Sequence, residues 1–292
     1  MGIIFDIQRC CCDDGPGVRT TVFFKGCQLR CAWCHNPESF RPAPQLRYLS
    51  HMCLDCGACV AICPQGAHSI QDGKHQVDFS RCSACGACAQ QCPAQALQLL
   101  GQEISAQEIL DVVLKDRVYY ETSGGGLTVS GGEATMQGEF LLELLTLAKA
   151  ADIHTCLETH GFIPNPLLQQ LLPLVDLFLL DYKITDQEAL QQYTHASGNL
   201  WDNCLETLQR HGKPVILRLP IIPGINDTAS HFAAAAALAK SHACIQQVQI
   251  MAYHSTGADK WQQLGYAYTL QQLPSATSAQ KAAWQQQLDA LL

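Results

Sequence analysis

Cys27-Gln28-Leu29-Arg30-Cys31-Ala32-Trp33-Cys34 decides how the rest of this 292-residue chain is read. Its cysteines, spaced C-x3-C-x2-C, can close on one face of a single loop. Iron–sulfur clusters take thiolate ligands, and a cubane [4Fe–4S] is ordinarily held by four. This loop supplies three and continues as His35-Asn36-Pro37, with no fourth cysteine nearby. A cubane on three cysteines keeps one iron open to an outside ligand, as catalytic metal sites do and closed structural sites do not. Taken alone, the loop also reads as a zinc knot, because C-x2-C pairs recur in zinc sites.

The flanks decide between the two. Upstream runs Asp13-Asp14-Gly15-Pro16-Gly17-Val18-Arg19-Thr20-Thr21-Val22-Phe23-Phe24-Lys25-Gly26, and downstream His35-Asn36-Pro37-Glu38. This stretch resembles the signature of radical S-adenosylmethionine (SAM) enzymes. Within them it is similar to the glycyl-radical enzyme activating enzymes, the pyruvate formate-lyase activating enzyme-like group. Their mark is D-G-P-G-x-R running into G-C-x3-C-x2-C-H-N. A chance zinc loop would not reproduce a match that extends so far beyond the cysteines.

Composition narrows the class further. Apolar residues make up 48 % of the chain, enough for a sizeable core, and the formal charge is −8 with no basic block. Nucleic acid is therefore not an expected partner. Seventeen cysteines, an odd number in a long α/β-patterned chain, argue against a secreted disulfide framework. Met1-Gly-Ile-Ile-Phe-Asp6 has no basic n-region and too short an apolar run for a signal peptide. No apolar run reaches the ~18 residues of a membrane span. The expectation is a soluble chain in a reducing compartment, the cytoplasm.

Between Tyr48 and Leu100 a repeat appears. Cys53-Leu-Asp-Cys56-Gly-Ala-Cys59-Val-Ala-Ile-Cys63-Pro64 returns as Cys82-Ser-Ala-Cys85-Gly-Ala-Cys88-Ala-Gln-Gln-Cys92-Pro93. Each copy is C-x2-C-x2-C-x3-C-P, the run of bacterial two-cluster ferredoxins, in which the fourth cysteine ligates the other cluster. One cubane is thus assigned to Cys53, Cys56, Cys59 and Cys92, and a second to Cys82, Cys85, Cys88 and Cys63. Residues 48–100 are expected to form a ferredoxin-like insert, with 1–47 and 101–292 forming the main domain. Cys10, Cys11 and Cys12 read as unligated thiols, since neighbours on an extended segment point opposite ways.

Outside the insert, strand and helix patterns alternate. Strands are predicted at 18–24, 127–130, 154–158, 177–182, 215–219 and 247–251. Helices are predicted near 140–150, 166–172, 188–193, 201–211, 231–240 and 278–291. Ser105-Ala-Gln-Glu108 is a capping box opening a further helix, with Ile109, Leu110, Val113 and Leu114 on one side. Repeated βα units imply a parallel sheet, and six strands are too few for a closed eight-stranded barrel. The family resemblance implies a partial (β/α)6 TIM-like barrel, in which chemistry sits at the C-terminal ends of strands.

Several motifs are expected at those ends. Ser130-Gly131-Gly132-Glu133 is a Gly-rich turn whose bare backbone can meet a ligand closely. The resemblance makes it the G-G-E motif that binds the methionine end of SAM. Leu157-Glu158-Thr159-His160-Gly161 and Leu179-Leu180-Asp181-Tyr182-Lys183 place carboxylates that could hold a hard cation through oxygen. The resemblance assigns Glu158, Thr159 and Asp181 to a monovalent cation beside SAM. It places Tyr182, Lys183, Trp33 and His35 in SAM binding. Arg218, alone in the apolar run Val215–Gly224, needs a carboxylate partner, and the resemblance sets it near substrate or SAM. His254 matches a family histidine on the ribose side of SAM. The remaining histidines, with Cys156, Cys204 and Cys244, read as core or surface residues.

The reading is a radical SAM enzyme carrying three [4Fe–4S] clusters, the one on Cys27, Cys31 and Cys34 binding SAM. Two-run insert included, the pattern looks most like the YjjW-type branch. By resemblance, Lys183, Arg218 and His254 join the three cysteines as catalytic residues. SAM is cleaved to a 5′-deoxyadenosyl radical, which takes a Cα hydrogen from a glycine of a partner glycyl-radical enzyme. A flavodoxin or ferredoxin supplies electrons through the insert. Two other readings stay open: a radical SAM enzyme acting on a small molecule, and a ferredoxin-type electron carrier that never forms 5′-deoxyadenosine.

Overall fold

In a computed structural model describing residues 1–292, the chain opens with β1 (Gly2–Cys11), β2 (Arg19–Phe24) and β3 (Gln45–Tyr48). The cysteine repeat follows as α1 (Ala58–Ile62), β4 (His68–Gln71), β5 (Lys74–Val77), α2 (Ala87–Gln91) and β6 (Leu97–Leu100). Next come β7 (Gln102–Ile104), α3 (Ala106–Val113), α4 (Arg117–Ser123), β8 (Gly126–Gly131) and α5 (Gly138–Ala150). Alternation continues with β9 (Thr155–Thr159), α6 (Asn165–Leu171), β10 (Leu177–Asp181), α7 (Gln187–Thr194) and α8 (Leu200–Arg210). The last elements are β11 (Val215–Ile221), α9 (Ala229–Ser241), β12 (Ile245–Ala252), α10 (Ala258–Gln263) and α11 (Ser278–Asp289).

One sheet runs β12-β11-β10-β9-β8-β2-β1-β7. From β2 to β12 every neighbouring pair is parallel, while β1 lies antiparallel between β2 and β7. The sequence predicts the six parallel strands; the sheet has eight, because β1 and β7 extend one edge. Neither announces itself. β1 is exposed or half-buried through its polar middle, and β7 is three residues long. From β8 onward strand order follows chain order without reversal, and right-handed crossovers then put all the helices on one face.

Strand alternation sorts the side chains accordingly. Val22, Phe24, Leu127, Val129, Leu157, Phe178, Leu180, Leu217 and Leu219 join the helices in the main core. The opposite, inner face carries a small apolar floor of Cys156, Leu177 and Leu179 with Ile216 against it. The alternate inner positions are polar or charged: Thr21, Thr128, Ser130, Glu158, Asp181 and Arg218. That contrast makes the inner face the place for a ligand.

The Ser105 capping box forms as read, Ser105 accepting from the Glu108 amide and the Glu108 carboxylate accepting from the Ser105 amide. Between β3 and β6, which pair with Tyr48 opposite Leu97, the cysteine repeat folds around the separate β4–β5 hairpin. Cys10 and Cys12 are exposed, and Cys11 pairs with Arg19 at the start of β2, the end remote from Cys27. No helix is long and apolar enough to cross a membrane.

Candidate active site

β2 delivers the Cys27 loop to the C-terminal edge of the sheet, and three segments hold it there. The Arg30 and Ala32 amides donate to the carbonyls of Thr194 and Tyr193 at the end of α7. From α10, the Trp261 indole donates to the Cys34 carbonyl at 2.9 Å, and Lys260 reaches Asn36 and Glu38. Gly132 closes the third side so tightly that a Cβ there would lie 2.3 Å from the Gly26 carbonyl. Arg30 folds over the Phe40 ring at 4.9 Å. The thiols of Cys27, Cys31 and Cys34 lie close enough to raise one another, though burial is the larger cause; Cys27 is pushed up to about 12. Bare thiols so placed stay neutral. A metal that favours thiolates is what such a donor set fits.

The G-G-E turn does two things. Gly131 sits at φ +124°, and a Cβ there would meet the Phe24 carbonyl oxygen at 2.2 Å, so the turn is glycine by necessity. Glu133 is fully buried. Its carboxylate accepts from the Thr135 hydroxyl at 2.7 Å, the Thr159 hydroxyl at 2.9 Å and the His160 amide at 3.1 Å. Glu133 therefore ties the end of β8 to the end of β9 and does not face the inner surface.

Glu158 and Thr159 are consecutive on a strand, so they face opposite sides. The side chains of Glu158, Thr159 and Asp181 each take a different partner. Thr159 serves Glu133. Glu158, on the inner face, accepts from Arg218 at 2.7 Å and from Ser130 at 2.5 Å. Burial would lift its pKa, but the Arg218 guanidinium, the Ser130 hydroxyl and the Lys183 charge together hold it below the ordinary value. Arg218 also donates to the Asp13 carbonyl. Beside this pair, burial raises Asp14 and nearby Glu158 raises it further, while the Thr21 hydroxyl donates to it at 2.7 Å. Asp181 accepts from Lys183 at 2.8 Å. Burial works against the Lys183 ammonium, yet the Asp181 carboxylate outweighs it and keeps the group charged.

Other expected residues scatter. Tyr182 turns to the helix side, stacked on His231 at 5.2 Å with its hydroxyl on Thr185. Trp33 packs near Tyr193. His254 is exposed just past β12, bonded to Thr256 at 2.7 Å and edge-on to His35 at 4.5 Å, so these two histidines form one rim beside Cys34. Asn226 goes unnoticed in the sequence. It is buried and donates to the carbonyls of Lys183 and Pro220, fixing the loop that presents Lys183. Arg19, inside the D-G-P-G-x-R motif, is fully buried and clamps Thr128, Pro16 and Leu127.

The repeat encloses two cavities. The first is lined by Cys53, Cys56, Cys59 and Cys92 with His75 and Leu97. The second is lined by Cys63, Cys82, Cys85 and Cys88 with His68 and Leu46. In each, three cysteines of one run meet the fourth cysteine of the other.

A family profile described as a 4Fe–4S single cluster domain matches residues 13–200. Over 283 residues the chain is 38 % identical to the choline trimethylamine-lyase activating enzyme of Oleidesulfovibrio alaskensis, covering 95 % of this chain and 91 % of that one. The chain belongs to the glycyl-radical enzyme activating enzymes. It shares 40 % identity over 275 residues with the (2S)-3-sulfopropanediol sulfolyase activating enzyme of Bilophila wadsworthia, spanning 92 % and 91 % of the two chains. With the benzylsuccinate synthase activating enzyme of Thauera aromatica it shares 37 %, over 92 % of this chain and 83 % of that one. As an activating enzyme it cleaves SAM and generates a radical for a glycyl-radical enzyme.

Proposed function

We propose that Cys27, Cys31 and Cys34 hold the SAM-binding [4Fe–4S] cluster and that SAM lies along the inner face of the sheet. The carrying observation is the junction of the two: Lys183, charged and mostly shielded from solvent, stands against both the Cys31–Cys27 loop and the Asp181 carboxylate. The cluster supplies the electron that breaks the C5′–S bond of SAM. The chain supplies position and electrostatics. Gly131 and Gly132 offer backbone to the methionine end. Lys183 and Arg218 are cations suited to its carboxylate, Asp14 and Asp181 are acceptors suited to its ammonium, and His35 and His254 form the rim on the ribose side. A monovalent cation there would require Glu158 and Asp181 to exchange their ion pairs with Arg218 and Lys183.

Two further [4Fe–4S] clusters occupy the insert, on Cys53, Cys56, Cys59 and Cys92 and on Cys82, Cys85, Cys88 and Cys63. The crossed linings of its two cavities support that assignment. They relay electrons from a flavodoxin or ferredoxin. Placement in the YjjW-type branch rests on the two-run insert alone. With seventeen cysteines, all free, the chain suits the cytoplasm. The relatives serve differently named enzymes at nearly equal identity, so they support the class of partner and not one member of it.

With SAM and a reductant, this protein should place a stable glycyl radical on one large partner enzyme. The EPR doublet should lose its main splitting when the partner carries α-deuterated glycine. SAM cleavage accompanied by turnover of a metabolite, with no radical on any glycyl-radical enzyme, would refute the proposal.

A further inference from the structure

His68 and His75 join the two cavities. Both are buried, at 5 % and 4 % exposure, and Nδ1 of His68 lies 2.9 Å from Nε2 of His75. Each ring lines a different cavity, His75 the first and His68 the second. The same Nε2 of His75 is 3.2 Å from the Cys59 sulfur, and its Nδ1 is 3.8 Å from the Cys53 sulfur. A neutral imidazole carries one N–H. Protonated at Nδ1, His75 donates towards Cys53 while its Nε2 accepts from His68; protonated at Nε2, its one N–H lies between Cys59 and His68 Nδ1. Asp55 fixes the His75 backbone by accepting from its amide at 2.9 Å, and Tyr48 packs edge-on to the ring at 4.8 Å.

The repeat contains its own control. The two cysteine runs are offset by 29 residues, Cys53 to Cys82, and the same offset relates the strands. His75↔Ile70 and Val77↔His68 in one hairpin match Leu46↔Leu99 and Tyr48↔Leu97 in the other pair. The counterparts of His75 and His68 are thus Leu46 and Leu97, and those leucines pack directly with Cys88, the counterpart of Cys59. Backbone amides reach Cys53 and Cys82 alike, from Asp55 and Ala84 at 3.4 Å. The second cavity also has a ring in its lining, His68, but its Nε2 has no hydrogen-bond partner, so the half-sites differ chiefly in that His75 alone reaches cysteine sulfurs.

We propose that His75, braced by His68, tunes the insert so that the cluster on Cys53, Cys56, Cys59 and Cys92 takes its electron at a higher potential than its twin. This rests on the reading of the insert as two [4Fe–4S] centres. Hydrogen bonds to cluster sulfurs are among the factors that set reduction potential, and a donor at the thiolate favours the more negative, reduced form. Cys88, facing Leu46 and Leu97, lacks that stabilisation. His75 is a positioning residue: the electron comes from the outside donor and passes between clusters, and no proton leaves the ring.

The test is an EPR-monitored potentiometric titration of the anaerobically reconstituted full chain, with iron and zinc measured on each sample. In His75→Phe the reduced-to-oxidised ratio of one cluster at its wild-type midpoint should fall about tenfold, equivalent to about 59 mV for a one-electron couple. The other two midpoints should hold, and His75→Gln, which keeps an N–H, should recover part of the shift. Leu46→His should raise the midpoint of the twin, which keeps the inference testable should His75→Phe fail to fold. Some twelve irons per chain, at four per cluster, with unmoved midpoints in His75→Phe and Leu46→His would overturn this inference alone. A plateau near four irons, or zinc seated on Cys59, His68 and His75, the one cluster of side chains with bare metal-ligand geometry, would overturn the insert reading and this inference together.

Discussion

Arg218→Met is the most informative single change on the inner face. Arg218 has 2 % side-chain exposure and is the cationic partner of Glu158. Taking away one member of a buried pair leaves the other charged and uncompensated, at a cost of about 3–5 kcal/mol. Glu158 keeps 25 % exposure and its bond from Ser130, so the lower end, about 3 kcal/mol, is expected. At about 2 °C per kcal/mol for a chain of this size, the melting temperature should fall by roughly 6 °C. The pH dependence should change sign. In the wild type Glu158 sits below its ordinary value of 4.5. The stability it contributes is therefore present above that value and lost as pH falls through the lower folded pKa. Without Arg218, burial raises Glu158, and the variant should instead gain stability relative to wild type as pH falls toward the carboxylate range. Adding Glu158→Gln removes the stranded charge and should recover much of the loss. Anaerobic calorimetry of the two single variants and the double variant, with SAM affinity by equilibrium dialysis, decides it. A fall under about 1 kcal/mol for Arg218→Met, or a double variant no better than the single, would refute the ion-pair argument.

Other changes probe the remaining contacts. Cys31→Ala should abolish 5′-deoxyadenosine formation even with dithionite, whereas Cys56→Ala should keep dithionite-driven cleavage and slow turnover with a protein donor; equal losses under both reductants would show that the insert is not a relay. Gly132→Ala drives a methyl group into the Gly26 carbonyl and should lower the iron retained by the Cys27 loop, measured in a Cys53→Ser/Cys82→Ser background. Thr159→Val strips the fully buried Glu133 of its closest donor from β9 and should cost about 1–3 kcal/mol on thermal unfolding, with little change if the carboxylate can find another partner.

Much of the fold can be read in the chain because its signals are local. The cysteine spacings, the Ser105 capping box and the six apolar strands each depend on residues within one element. Direction is harder. Nothing in Leu157-Glu158-Thr159 tells which neighbour faces the inner surface until the strand is seated in the sheet, where the Thr159 hydroxyl turns to Glu133 and Glu158 to Arg218. Glu133 reads as a ligand-binding carboxylate but is consumed by Thr135, Thr159 and His160. β1 is missed because its polar middle breaks the alternation, and α10 because its six residues, Ala258–Gln263, carry no long periodicity. His68 and His75 look like ordinary histidines taken one at a time; aligning the two cysteine runs on their 29-residue offset would have set them against Leu97 and Leu46 and exposed the asymmetry.

Helix α10 is short, yet it touches two regions at once. Trp261 and Lys260 grip the Cys27 loop, and Gln263 accepts from Arg47 of β3 at 2.7 Å, where the insert begins. Gly265, just beyond, lies so near the Phe79 ring that no Cβ would fit. These contacts bolt residues 48–100 to α10 and, through it, to the Cys27 loop. An electron relayed as proposed would cross between them in a first-order event, indifferent to dilution and to solvent viscosity. Those variables act only on encounters with molecules outside the chain, the reductant on one side and the recipient of the radical on the other.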